Sequence, residues 1–579
     1  MNKVRALFCT AAGKGYGIGH LRRCLSLCEE GAGRLQSSLC LMRGSTDLLN
    51  GMDLCGARPV HRPEDAGCVD VVVTDLKRSK PGEMRRLSRL APVVALDDAG
   101  EGSVSAAVCV YSLPLAQPLC GNLYGPDYLV LSPRIRSLTP VPFVRKDGVL
   151  VSFGGSDPEG CTRTVTVLLN SMGIRPVVVK GPFSSVDVED LDAQTAGADT
   201  DLLELINKSR VLITSFGITM YEAFYLGTPV LLFNRSAYHQ MLSEKAKATS
   251  IGFVGGTEQP RDRLEAVLRD ERTLVQTFEN NRLRVDGLGA SRVVSVILGA
   301  ARGARKDCLF SHKRYSAVRR EEDYSLLRCR RCGDLFLFEI RNQGFIYDDK
   351  DYFLSGYERQ YGRSYIDDRD NIVSIGLERI KIIEAIAAKK GRILDVGCAL
   401  GFFLDLARGR GWETVGVEIS KFASEWARKN LSLDVRTGGF LEIDMPTASY
   451  DAVSFLFVAE HLPDMEAVIR KAYAILKKGG ILCVALPNRG GVSYRTAKRS
   501  YIADHPRDHY IDTTVRNLGR FLRGYGFRKE KVRVTGIHPL RFYRVVGVAP
   551  GKPWLDSIYT AAAKIFSLGD TFEFYAVKE

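Results

Sequence analysis

Two patterns alternate along the chain. Short apolar runs end in Gly, Ser or Asp, and the stretches between them repeat apolar residues at helical spacing. Runs at Val4–Cys9, Val69–Thr74, Val93–Leu96 and Tyr128–Leu131 predict strands, and Gly148–Phe153, Val211–Thr214 and Leu226–Phe233 continue the series. Residues 256–305, rich in Arg, Leu, Val and Ala, predict helix ending at Gly303, and Leu335–Phe338 predicts a strand. A helix over Ile375–Ala388 then precedes an apolar run ending in Asp395. Val415–Glu418, Asp434–Arg436, Tyr450–Phe455 and Ile481–Asn488 follow as strands. Lys421–Lys429 predicts a helix between the first two, Leu476–Gly480 a helix stop and turn, and Thr513-Thr514 the cap of a helix ending near Tyr525–Phe527. Strands alternating with helices predict an α/β chain built on parallel sheets.

The glycine turns after these strands carry the candidate chemistry. Gly13–His20 follows the first strand and places His20 at a helix start, where the positive helix end suits a neutral general base. The alternative for His20 is capping or packing. Asp75 and the pair Asp97-Asp98 end two strands and can orient a base, hold a sugar hydroxyl or cap the next helix. The turn Gly154-Gly155-Ser156-Asp157 offers backbone N–H groups to phosphate. A second turn with Ser215, Gly217 and Thr219 leads into a helix carrying Glu222, and His239-Gln240 opens another helix. Two phosphate-friendly turns and an acid one helical turn on describe a nucleotide-sugar cleft between two facing sheets. In the rear half, Asp395, Gly397 and Gly401 form a strand–turn–helix unit, and Glu418 ends the next strand, where an acid can accept both ribose hydroxyls. Gly-x-Gly-x-x-Gly is absent, which favours a nucleoside without a pyrophosphate.

Composition narrows the partners. With 579 residues the chain exceeds one core, and 45% hydrophobic with 26% charged residues is ordinary for a soluble globular protein. A formal charge of +14 favours anionic partners, with plain surface charge as the alternative. There is no basic tail or aromatic–basic repeat for RNA, so nucleic acid is not expected. No stretch reaches the roughly 18 apolar residues of a membrane span, and the start reads as a strand, which predicts a cytoplasmic protein. Most of the fourteen cysteines are isolated, as in a reducing compartment. Cys329-Arg-Arg-Cys332-Gly is a knuckle, and Cys308 with His312 would complete four ligands for a structural zinc; the alternative is a hairpin with reduced thiols. Tyr347, Tyr352, Phe353, Tyr357, Tyr361 and Tyr365 form an aromatic stretch suited to a lid, a substrate platform or packing.

Two resemblances attach to these motifs. Gly17-Ile-Gly-His20 with Arg22-Arg-Cys24, Asp97-Asp98, Tyr124–Tyr128, Val151–Asp157 and the Ser215–Gln240 region resemble the UDP-sugar hydrolase of the pseudaminic acid pathway, itself similar to the glycosyltransferase B fold. The resemblance implies that His20 activates water at the anomeric carbon. It implies that Gly17, Gly154, Gly155, Ser156, Ser215, Gly217, Thr219 and Gln240 line the UDP site, with Glu222 on the ribose. Asp75-Leu-Lys departs from that family's Asp, small residue, Tyr, so the sugar wall differs. Residues 390–545 resemble class I S-adenosylmethionine-dependent methyltransferases of the small-molecule branch that carries Glu460-His461-Leu. That implies S-adenosylmethionine as cofactor, Asp395, Gly397 and Gly401 around its methionine part, Glu418 on ribose, Phe440 near adenine and Glu460 at the site mouth. Gly439 replaces an Asp common in that family. His461 and His509 are the candidate bases, with capping or packing the alternative for His509.

The expected fold is α/β: two facing doubly wound domains, glycosyltransferase B-like, over 1–143 and 144–300, a cysteine-knuckle and tyrosine joint over 301–368, and a Rossmann-like methyltransferase domain over 369–579. The expected function is a bifunctional enzyme of surface or flagellar carbohydrate synthesis. It would hydrolyse a UDP-linked amino sugar and methylate a sugar acceptor. The alternatives for the front half are a true glycosyltransferase and a non-catalytic sugar-nucleotide binding module.

Overall fold

The computed structural model describes residues 3–13, 16–114, 121–197, 200–256, 260–270, 272–276, 285–302, 308–340, 357–358, 362–539 and 553–579. The chain divides into two compact units. One comprises Met1–Gly303 with Arg320–Ser325 and Glu339–Arg341; the other comprises Ala304–Arg319, Leu326–Phe338 and Asn342–Glu579. Both expected front domains thus fall in one unit, and the expected joint is divided between the two.

The first unit contains two sheets. The strands β1 (Val4–Ala11), β2 (Leu35–Arg43), β3 (Arg58–Val60), β4 (Val71–Asp75), β5 (Val93–Leu96), β6 (Val108–Tyr111) and β7 (Leu123–Tyr124) stand in the order 3-2-1-4-5-6-7, all parallel. The strands β8 (Asp147–Val151), β9 (Val177–Val179), β10 (Gln194–Ala196), β11 (Ser209–Thr214), β12 (Val230–Asn234) and β13 (Ser250–Phe253) stand in the order 10-9-8-11-12-13, again parallel. Leu7, Val72 and Val93 are fully buried in the first sheet, as are Leu150, Leu212 and Leu232 in the second. Their near-continuous apolar sequence is what a sheet covered on both faces requires.

In the second unit, β14 (Tyr315–Arg320), β15 (Tyr324–Cys329) and β16 (Leu335–Glu339) precede β17 (Arg392–Val396), β18 (Glu413–Glu418), β19 (Asp434–Thr437), β20 (Tyr450–Leu456) and β21 (Leu476–Pro487). Then come β22 (Ile511–Asp512), β23 (Phe527–Thr535) and β24 (Thr571–Lys578). The large sheet has the order 19-18-17-20-21-24-23; β24 runs antiparallel to both neighbours and the rest is parallel. The short β22 instead extends the small sheet by pairing with β16.

Three expected elements differ. Leu476–Gly480, expected as a helix stop and turn, is the first part of β21, with Gly479 at φ +76° inside it. Tyr128–Leu131 is no strand: Pro126–Tyr128 is a short 3-10 turn, and Leu129 and Leu131 are buried by packing against the second sheet's core. The Gly-Pro start forces a turn, and apolar character there marks burial only. Residues 256–305 are not one helix. Pro260–Arg269 ends where the Asp270 carboxylate accepts N–H of Arg272, and a new helix, Gly289–Arg302, starts after Gly287 at φ +73°. Gly303, Tyr347, Tyr352, Phe353 and Tyr361 lie outside the described residues.

Candidate functional sites

Each large sheet reverses its winding direction once, and the two flanking strand ends open a crevice there, where open α/β sheets bind ligands. The reversals lie between β1 and β4, between β8 and β11, and between β17 and β20. Each glycine turn given candidate chemistry follows one of these strands.

In the first unit the turns of the two sheets meet. A methyl at Gly155 would sit 2.5 Å from Ile18 Cγ2, and one at Gly17 (φ +71°) would sit 3.6 Å from Ser156 Oγ. Gly155 is therefore required by close approach of the two sheets. Gly154, at φ +80°, faces open space and leaves its turn accessible. His20 is the second residue of the helix Gly19–Gly31, and its Nδ1 lies 2.6 Å from Asp75 Oδ1 at the end of β4. The same carboxylate takes two bonds from Arg23, one helical turn on, and Arg23 also pairs with Asp97. Burial alone would raise the Asp75 carboxyl, but Arg23 and His20 outweigh it and hold it at about 2. Asp75 thus fixes the ring of His20 and leaves Nε2 as the nitrogen turned elsewhere. Sequence reading left Asp75 between several roles; its tie to His20, 55 positions away, needed the fold.

Ser215 is buried after β11, and Gly217 is extended rather than left-handed, so it carries no backbone requirement. Thr219 and Glu222 lie on the helix Ile218–Tyr225. Burial lifts the Glu222 carboxyl to about 7 against the pull of Arg22. Gln240 does not present its amide to a ligand. Its oxygen accepts from Asn234 and Ser250 at 2.9 and 2.7 Å, and its nitrogen donates to Glu244 at 3.2 Å, so it braces β12 against β13. Unforeseen from sequence is a cationic corner. Lys77 Nζ lies 5.4 Å from the Tyr238 ring centre, Arg235 has a buried Nε with no hydrogen-bond partner, and burial with Arg235 and Lys77 pushes His239 down to about 4.

Breaking the Arg23 pairs would strand two buried carboxylates. Arg23→Ala is expected to cost about 3–5 kcal/mol in a denaturant titration. Acid acts on the same group: the folded-state pKa of Asp75 lies below its unfolded value, so its contribution is full above about pH 4 and lost as pH falls through about 2.

In the second unit Asp395 ends β17, is buried and accepts from Ser454 Oγ at 2.6 Å; burial raises it to about 7. Glu418 ends β18. Its two oxygens accept N–H of Ala399 and Ser420 at 2.8 and 2.9 Å, which ties the β17 turn to the β18 turn, and burial raises its carboxyl. Two buried carboxylates at adjacent strand ends suit a ligand bearing hydroxyls and positive charge. Gly397 (φ +70°) and Gly401 (φ +83°) correct an expectation. A methyl on them would meet Val458 at 2.4 Å and Leu433 at 2.6 Å, so the close approach they permit is by protein side chains. Phe440 is likewise a wall: it is buried, edge-on to Phe455, with Lys471 5.1 Å from its ring centre. Tyr365 stacks on Phe402, which opens the helix after Gly401, and Tyr357 donates to Asp368.

Beside Val458, Glu460 is buried. The structure brings His461 and His509 together, with ring centres 4.8 Å apart. Asp508, Asp512 and His505 adjoin them; from the sequence His505 and Asp508 stood in the same stretch as His509 without a role, and Asp512 was not singled out.

The cysteine knuckle is assembled. The ligand atoms of Cys308, His312, Cys329 and Cys332 lie within 4.8 Å of one another, and Gly333 turns at φ +82°. Cys329 Sγ accepts N–H of Arg331 and Cys332 at 3.4 Å each. Hydrogen bonds from Cys308 and Cys332, and then these amides, pull its pKa down, while the same thiol–thiol contacts push Cys308 and Cys332 up, so one negative charge is shared among three clustered thiols.

Residues 369–532 match a family model described as a methyltransferase domain. A ubiquinone biosynthesis O-methyltransferase of Chromobacterium violaceum is 32% identical over 171 residues, 27% of this chain and 72% of that protein. One of the same name from Alkalilimnicola ehrlichii is 33% identical over 110 residues, but the chain spans only 44% of its length and 18% of this chain is covered. Among solved structures, an S-adenosylmethionine-dependent methyltransferase of Archaeoglobus fulgidus aligns at 19% identity and a TM-score of 0.30, covering 40% of this chain and all of that one. With its nucleoside-type strand ends at a sheet reversal and a relative matched over most of its length, the C-terminal part of this chain belongs to the class I S-adenosylmethionine-dependent methyltransferases.

Proposed function

We propose that the chain is a bifunctional carbohydrate-modifying enzyme whose rear half methylates a small-molecule acceptor and whose front half cleaves a UDP-linked amino sugar. The observation that carries the rear half is the pair Asp395 and Glu418, buried at adjacent strand ends beside the reversal between β17 and β20. Bound there, S-adenosylmethionine supplies an electrophilic methyl group. Glu418 would hold ribose hydroxyls, Asp395 would face the methionine part, and the chain's own work is to orient the acceptor in line. The relatives' names favour an oxygen acceptor.

For the front half the carrying observation is the His20–Asp75 pair in a unit where the open Gly154 turn and the Lys77–Arg235 corner can receive a diphosphate. His20 would take the proton from a water attacking C1, and the backbone donors and cations would stabilise the departing UDP. A sugar hydroxyl in place of water would make the same machinery a glycosyltransferase; product analysis with and without acceptor separates the two. Among the described residues no helix is long and apolar enough to cross a membrane. The decisive assay incubates UDP-amino sugars with labelled S-adenosylmethionine and follows free UDP, free sugar and methylated product. Absence of UDP release with every UDP-amino sugar, alongside intact UDP binding, would reduce the front half to a binding module.

The four soft ligands at Cys308, His312, Cys329 and Cys332 fit a structural zinc. The protein as purified is expected to hold one zinc at this knuckle, and stripping it should lower Tm by several degrees, with recovery on adding zinc back. Metal analysis with Cys332→Ser checks the assignment.

A further inference from the structure

A second cluster stands apart from the cysteines. Glu460, His461 and His509 each offer a ligand atom, all within 4.8 Å of one another. Glu460 is 1% exposed, and its Oε2 has no hydrogen-bond partner. A buried carboxylate oxygen without a donor is costly, and a cation is the partner that removes the cost.

The histidines are oriented as ligands are. His461 Nδ1 lies 3.1 Å from the Asp508 carbonyl oxygen and 3.2 Å from Asp508 Oδ2. A carbonyl only accepts, so Nδ1 carries the hydrogen and the neutral ring has its lone pair on Nε2. His509 Nδ1 lies 3.5 Å from Asp512 Oδ1, and His505 Nε2 approaches the other Asp512 oxygen at 3.3 Å. An acceptor behind the ring, as Asp508 is behind His461, fixes tautomer and direction and is the usual support of a metal-bound imidazole; Asp512 stands beside His509 at ion-pair distance. The backbone ties the parts: N–H of Tyr510 donates to the Glu460 carbonyl at 2.7 Å, and Val458, two residues before Glu460, packs on Gly397 of the turn after β17.

We infer that Glu460, His461 and His509 bind one divalent transition-metal ion beside the methyl-donor site, and that this ion receives the oxygen of the acceptor to be methylated. Two imidazoles and one carboxylate leave coordination positions open, which suits a cation that must also hold substrate. Ligand atoms around a shared ion sit about 3–4 Å apart given bonds near 2.1 Å, so small ring rotations close the site. The acceptor hydroxyl loses its proton to solvent on binding the cation. Its oxygen then forms the bond to the methyl carbon as the carbon–sulfur bond breaks, and that electron pair returns to sulfur. The second part of this inference rests on the methyltransferase reading; the first part does not.

The test uses the full chain and Mn2+, which thiolates bind less readily than zinc. Calorimetry should give one Mn2+ per chain, lost at least tenfold in affinity in Glu460→Gln and in His509→Gln, but kept in His61→Gln, a residue of the other unit. Pulsed electron paramagnetic resonance of wild-type protein with Mn2+ should show coupling to imidazole nitrogen, and this decides the matter if the variants do not fold. No Mn2+ binding, binding untouched by both substitutions, or a spectrum without nitrogen coupling would overturn the site. S-adenosylhomocysteine titrated separately keeps the readings apart: homocysteine-product binding without Mn2+ ends the metal proposal alone, and Mn2+ binding without it ends the methyltransferase reading and the acceptor role.

Discussion

Glu418→Ala is expected to weaken S-adenosylhomocysteine binding by on the order of a hundredfold, equivalent to about 2.7 kcal/mol. The carboxylate is both brace and acceptor. It fixes the N–H groups of Ala399 and Ser420, and so holds the turn after β17, where Ala399 sits at φ +50°. Removing it leaves two N–H groups in a buried site at a cost of about 1–3 kcal/mol each and loosens the strained turn. It also removes the group proposed to accept the ribose hydroxyls. Calorimetric titration and a thermal melt should both respond. Affinity within threefold of wild type in a folded Glu418→Ala protein would mean that the nucleoside is held elsewhere.

His20→Ala should lower kcat for UDP release by about 10²–10⁴, the usual contribution of a positioned general base, while leaving UDP affinity close to wild type. The ring is held by Asp75, and the features proposed to bind phosphate lie in the turn after β8 and in the Lys77–Arg235 corner. Asp75→Asn acts through the ring: it should reduce kcat as well, with its effect on UDP binding small. Because Asp75 also pairs with Arg23, that variant needs a melt beside the kinetics. Equal loss of kcat and of UDP affinity in His20→Ala would assign the histidine to binding instead of proton transfer.

Both predictions concern groups at sheet reversals, and they show where sequence reading succeeds. Strand ends, glycine turns and the histidine after the first turn are local features. Backbone dihedrals and helix starts are set by neighbours a few residues apart, so Gly17, Gly154, His20, Asp395 and Glu418 could be placed without coordinates. Gln240 shows the limit: an amide at a helix start looks available until Asn234 and Ser250 are seen to use it.

By itself, then, the sequence determined the α/β alternation and the positions of most of its turns, because hydrophobic periodicity and glycine act over short range; the antiparallel pairing of β24 and of β22 came only with the fold. Only the tertiary structure decided what those turns touch. It put Val458 and Leu433 against Gly397 and Gly401, tied Asp75 to His20 and Arg23, and brought Glu460, His461 and His509 together, with Asp512 between His509 and His505. Pairings of this kind depend on which strands become neighbours, and on which side chains reach across, and spacing along the chain encodes neither.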